Sequence, residues 1–214
     1  MRTTVYRFDF SLAAADADGV AEDQTLSAGG VQSVTFDGAL VVGGIAVFDA
    51  QRRVIVTSVG NDSSITFTVT GADESGRPIS ETIDGANAGV ASTTLDFLSV
   101  SSVVASGDTA NDISVGTSSV GATLPKVLNL ADSFMPVGIG CTVDGTIDYT
   151  VQHTYDNPFD SSANLEWFDN ADIAAETDDE ETAYTTPVTA IRVLINSGDG
   201  SVRTRIVQGS PAAY

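Results

Sequence analysis

One histidine, one cysteine and a surplus of carboxylates are the side chains of this chain with chemistry to offer. His153 lies in the run Tyr149-Thr150-Val151-Gln152-His153-Thr154-Tyr155-Asp156, and any acid–base or triad histidine must be this one. Such a histidine needs a nucleophile within hydrogen-bond reach. No Gly-x-Ser-x-Gly elbow accompanies it, so a strand histidine with a satisfied hydrogen bond is the favoured reading. Cys141, in Gly-Ile-Gly-Cys-Thr-Val, reads as a small buried hydrophobe in a strand. A single cysteine and a single histidine exclude a disulfide framework and a Cys/His zinc site.

The carboxylates number 22 Asp and 7 Glu. With so many, some pair falls at glycosidase spacing by chance, so the count points to no acid–base pair. Glu166-Trp167-Phe168-Asp169 sets carboxylates beside aromatic rings, as sugar-cleaving clefts do. The plainer expectation is that Trp167 and Phe168 anchor a long irregular excursion, Asn157 to Glu181, onto the C-terminal region. Asp16-x-Asp18-Gly19 carries part of an EF-hand pattern but lacks the third ligand before the glycine and the distal glutamate. Asp178-Asp179-Glu180-Glu181 is a run of like charges, which is usually a solvated loop. The sequence therefore designates no catalytic residue, no metal ligand and no cofactor site.

The elements that would position these groups are strands. Period-two alternation and β-branched residues dominate, and helical periodicity is nearly absent. Val54–Ser58 reads as a strand ended by Gly60-Asn61-Asp62. Ile65–Thr70 puts Ile65, Phe67 and Val69 on one face and returns through Gly71–Pro78 into Ile79–Ile83, the pattern of a hairpin. Gly85–Gly89 reads as a turn, followed by strands over Thr94–Val104 and Ile113–Gly116. Leu124–Leu130 resembles an extended linker, and Pro136 stops any helix nearby. Ile147, Tyr149 and Val151 share a face that should be core. Ala190–Asn196 and Ser201–Gln208 flank Ser197-Gly198-Asp199-Gly200, a turn that predicts a hairpin.

These spacings predict an all-β protein of two small antiparallel β-sandwich domains, Ig-like or jelly-roll-like, with an N-terminal arm. The expected boundaries are an arm or extra strands over 1–35 and a first sandwich over 36–124. A linker over 125–137 and a second sandwich over 138–214 follow. Within the arm, Ala13–Asp23 reads as a short helix or a loop.

Net charge narrows the function classes. Nine Lys and Arg stand against 29 Asp and Glu, a formal charge of −20, with Lys126 the one lysine. Such a chain repels phosphate backbones, which argues against nucleic acid as a partner. The N-terminal run Met1–Phe10 alternates apolar and polar residues and lacks the apolar core of a signal peptide. No stretch approaches the roughly 18 apolar residues of a membrane span. The expectation is a soluble chain made in a cytoplasm, with no membrane partner.

Three strings carry a family resemblance: Gln51-Arg52-Arg53-Val54-Ile55-Val56-Thr57-Ser58, Ile65-Thr66-Phe67-Thr68-Val69-Thr70-Gly71 and Ser80-Glu81-Thr82-Ile83-Asp84-Gly85-Ala86-Asn87-Ala88-Gly89. The C-terminal half adds Tyr149–Asp156, Trp167-Phe168, and Pro187-Val188-Thr189-Ala190-Ile191-Arg192 followed by Gly200-Ser201-Val202. In this order they resemble a pattern of tailed-bacteriophage virion proteins, over roughly residues 40–208. The resemblance implies a non-enzymatic, multi-copy structural component, either a capsid decoration (cement) protein or a neck or tail protein. It also implies other virion proteins and further copies of the chain as partners, with assembly into the virion in the host cytoplasm. It brings no catalytic residues. The alternative expectation is a receptor- or glycan-binding module of a tail appendage, using Trp167, Phe168 and nearby carboxylates.

Overall fold

The computed structural model describes residues 3–128, 136–159 and 165–209. Within them the chain is all-β, without a helix, and its strand pairings are antiparallel. It divides into two compact units, one of Met1–Ala13 with Ala122–Tyr214, the other Ala14–Gly121. The outer body is thus discontinuous in sequence, and the inner body lies between its parts in the chain.

Strand β1 (Thr3–Phe10) opens the outer body. The inner body holds β2 (Ala21–Gln24), β3 (Gln32–Ser33), β4 (Val41–Val42), β5 (Ile45–Asn61), β6 (Thr66–Ala72), β7 (Pro78–Asp84), β8 (Asn87–Ser92), β9 (Phe97–Ala105) and β10 (Ile113–Ala122). The outer body resumes with β11 (Lys126–Val127), β12 (Val137–Asp144), β13 (Ile147–Thr154), β14 (Phe168–Asp169), β15 (Glu180–Tyr184), β16 (Ala190–Gly198) and β17 (Ser201–Gly209).

In the inner body the β6–β7 hairpin forms as its alternation predicts, from Thr66↔Asp84 to Ala72↔Pro78. Phe67 and Val69 are fully buried on the face read from the sequence. The Val54–Ser58 strand is only the middle of the longer β5, whose first part pairs with β9 and whose second part pairs with β8. The predicted Gly85–Gly89 turn is shorter than expected. Asn87 already pairs with Asn61, while Ala88 takes the left-handed conformation that suited the turn reading. Buried charges are matched locally: Arg52, 1% exposed, donates to both carboxylate oxygens of Asp49 and to the Ser118 carbonyl. Arg77 pairs with Asp73 at 2.6 Å across the β6–β7 loop.

The outer body packs two sheets. One has the order β1-β17-β12-β15; in the other, β13 lies between β14 and β16, and β11 pairs with β16. Val137, Ile139, Cys141, Tyr184, Val202 and Ile206 of the first meet Ile147, Tyr149, Val151, Ile191, Val193 and Ile195 of the second in one buried cluster. The core face predicted for Ile147, Tyr149 and Val151 is the observed one.

The expected hairpin across Ser197–Gly200 does not form. β16 pairs with β13, β17 pairs with β12 and β1, and the chain changes sheets at the corner. The Asp144–Ile147 corner between β12 and β13 does the same, and Asp199 and Gly200 donate backbone hydrogen bonds to the Thr146 carbonyl. Gly198 has φ +99°, and a Cβ there would lie 2.3 Å from the Thr146 oxygen. A Gly/Asp turn closes either a hairpin or a sheet-to-sheet corner, and period two fixes faces, not partners.

The region over 1–35, expected as an arm or extra strands, carries β1, β2 and β3, and part of the expected linker pairs as a strand. β1 is a strand of the outer body, in register with β17 from Thr3↔Gly209 to Phe10↔Val202. Residues 14–35 belong to the inner body, where Val20 and Ala21 are buried and no helix forms over Ala13–Asp23. Of the predicted linker, Lys126 and Val127 pair with Ile191 and Ala190, and Leu128 is buried in the outer core; 129–135 lie outside the described residues.

Candidate functional site: an aromatic rim and an arginine-bearing sheet face

The histidine sits where the outer core opens to solvent. Tyr149, Val151 and His153 share one face of β13, but His153 is the last of the three and reaches the rim. Its Nδ1 lies 3.0 Å from the hydroxyl of Tyr184 on β15. Three rings surround it: Tyr184 and Tyr155 edge-on at 5.1 and 5.2 Å, and Phe168 stacked at 5.9 Å. Burial depresses the imidazole pKa below its ordinary value, with Asp169 pulling the other way. Burial likewise pushes the Tyr184 phenol up to about 12. A neutral imidazole against a protonated phenol is a structural hydrogen bond, and Tyr184 offers no activated nucleophile.

The short strand β14 straddles this rim. Phe168 faces His153, while the flanking Trp167 and Asp169 turn to the other side. The Trp167 ring covers the Arg192 guanidinium at 4.5 Å. Arg192 donates to Gln152, and Gln152 donates to Asp169, each at 2.8 Å. This is the anchoring role expected of Trp167 and Phe168, now with named partners. At this rim Tyr155 and Phe168 stay open to solvent, 55% and 41% exposed with ring centroids 5.7 Å apart, and Phe159 in the same excursion is 79% exposed. Asp156 is used locally, accepting from the Glu166 backbone N–H at 2.7 Å.

The remaining sequence candidates disperse. Cys141 is buried on β12, 3.5 Å from the Thr204 hydroxyl, and desolvation raises its pKa. In the acidic run, the Asp178 carbonyl accepts from the Tyr149 hydroxyl, the Asp179 carboxylate caps the Val143 N–H, and Glu180 and Glu181 enter β15. Asp16 and Asp18 lie in the inner body, where the Asp16 carboxylate crowds Gly19. Among the described residues, no group of three His, Cys, Asp or Glu side chains could hold a metal ion.

The sequence reading missed a surface. On the outer side of the β1-β17-β12-β15 sheet, Val5, Arg7 and Asp9 of β1 stand opposite Val207, Arg205 and Arg203 of β17. Three of the chain's nine basic residues thus share one face of a −20 protein. Asp9 receives Arg203 at 2.5 Å and Arg7 at 3.5 Å, and the Arg203 hydrogen bond holds its carboxyl below the usual range. Beside them a shallow groove is floored by Gly138 and Gly140, with Arg205 and Val207 on one wall and Glu181 and Ala183 on the other. The alternation of both strands was legible; their adjacency was not, because some 190 residues separate them.

No family model matches the chain, and no curated protein matches it. Among solved structures it is similar to the major capsid protein P2 from bacteriophage PM2, at 12% identity and a TM-score of 0.23 over 97% of this chain and 98% of that one. A likeness so loose carries no argument about role.

Proposed function

We propose that this protein is a non-enzymatic, multi-copy structural component of a tailed-phage particle, as a capsid decoration protein or a neck or tail protein. The sequence pattern over residues 40–208 supports the particle assignment. The geometry supports a contact role, through one observation above the others: the outer body leaves the long edge strand β1 and an arginine-bearing sheet face open among the described residues. Open edges and faces make repeated contacts without chemistry. The surrounding acidity suits an exterior position, where adhesion to DNA would be harmful.

The deciding experiment is stoichiometry in purified particles relative to the major capsid protein. Hundreds of copies identify a decoration protein, and tens or fewer identify a neck or tail protein. Absence from particles refutes the proposal. A second reading, a glycan-binding module of a tail appendage, draws on the exposed Tyr155–Phe168 ring pair. It requires binding to host surface polysaccharide that is lost in Tyr155→Ala and Phe168→Ala. Trp167→Ala also bears on it, although that ring already covers Arg192.

A further inference from the structure

We infer that two copies of this chain pair edge to edge through β1, antiparallel about a twofold axis at Phe8. The inference deepens the structural reading by naming a partner and a surface, and it can fail alone.

Both edges of the β1-β17-β12-β15 sheet need an answer, because an open edge presents unpaired N–H and C=O groups. β15 is short and carries Glu180 and Glu181, like charges that repel a second strand. β1 is longer, eight residues that alternate between exposed and half-buried positions from Val5 to Phe10, and among the described residues no strand pairs with its outer side. Its inward row, Tyr6, Phe8 and Phe10, packs on the outer core yet remains only half-buried. Its outward row is Val5, Arg7 and Asp9, with the Arg7 and Asp9 side chains each 54% exposed.

That order is self-complementary in one register. With Phe8 opposite Phe8 of the second copy, Arg7 of each copy faces Asp9 of the other. On the inner face Tyr6 faces Phe10, so six aromatic rings form one continuous row. Directly opposed residues in an antiparallel pair lie within side-chain reach, where opposite charges stabilise and like charges destabilise. Moving the register by two residues sets Arg7 against Arg7 or Asp9 against Asp9. Moving it by one sets aromatic rings against the charged face. The symmetry is the isologous twofold commonest among homo-oligomers.

The test uses complementary charge reversals in the full chain. Arg7→Asp sets Asp against Asp in a homodimer, and Asp9→Arg sets Arg against Arg. An equimolar mixture of the two variants restores opposite charges at both positions. By sedimentation and light scattering at about 100 μM, the wild type should run near twice its 22.0 kDa monomer mass. Each single variant should raise the dimer dissociation constant by about thirtyfold, read from a dilution series around that concentration. The mixture should recover the dimer, and so should the double variant carrying both reversals, which serves if a single variant misfolds. Circular dichroism checks folding throughout. A monomeric wild type, single variants that dimerise as tightly as the wild type, or a mixture no tighter than the single variants overturns the interface. Particles that still incorporate a monomeric wild type refute the interface and leave the structural role standing.

Discussion

Val151→Ala measures whether the outer core is built as described. Val151 is fully buried in β13, opposite Val193 of β16, within the cluster that joins both sheets. The substitution removes two methyl groups, worth about 1.6 kcal/mol in lost transfer energy at about 0.8 kcal/mol per carbon. If nothing relaxes, a void of about 50 Å³ adds about 1.2 kcal/mol at roughly 24 cal/mol per Å³. The expected loss is therefore about 2–3 kcal/mol, the lower end applying if neighbours collapse inward. Val207, 38% exposed on the outer sheet face, provides the control, and Val207→Ala should cost about 0.5 kcal/mol or less. Denaturant unfolding followed by Trp167 fluorescence reports the outer body, which contains that residue. A shift of less than about 0.5 kcal/mol for Val151→Ala would refute the assignment of this face to the core.

Other outcomes follow from the rim and the charge. Burial lowers the folded-state pKa of His153, so its neutral form belongs to the fold; stability present above about 6.5 should fall as pH drops through the interval below it. His153→Gln should flatten that slope in a pH series of melts, and an unchanged slope sinks the account. Tyr184, held protonated up to about 12, should ionise after the exposed tyrosines in an ultraviolet titration. Alkaline stability should decline above pH 10, the ordinary tyrosine value, because the unfolded chain releases that proton first. Cys141 should resist a thiol-specific reagent in the native protein and react fully in denaturant; rapid native labelling contradicts its placement. Self-association should strengthen as NaCl rises from about 0.01 to 0.5 M, because the Debye length falls from about 30 Å to under 10 Å and subunits of −20 charge cease to repel through solvent. Association that weakens along that series would point to a partner surface of opposite charge.

Faces were legible in the sequence, and so was the local β6–β7 hairpin, but strand partners distant in the chain were not. Alternation alone put Phe67 and Val69 on one shared face, which is buried, and Ile147, Tyr149 and Val151 on the core face. The same alternation at 190–208, with its Gly/Asp turn, predicted a hairpin where the chain changes sheets, because the turn chemistry of the two corners is shared. At the rim, Phe168 could be read as an anchor from the polar excursion around it. Nothing in the spacing announced Tyr184 as the partner of His153, since they meet across two sheets. The arginine face was hidden by the same distance, its residues standing at opposite ends of the chain.

The pairing of β1 with β17 also sets a clock. The ribosome makes Thr3–Phe10 well before Ser201–Gly209, so the strand that completes its sheet emerges only after the whole inner body. At about 5–20 residues per second, the aromatic row of β1 waits on the order of 10–40 s for its cover. The inner body, contiguous from 14 to 121, is free to fold during that delay. On a polysome, neighbouring nascent chains present the same uncovered strand together, so the interval favours chaperone capture or premature association between them. Shortening it by permutation, with new termini in the loop at Asp73–Arg77, would let β17 and β1 be synthesised in succession.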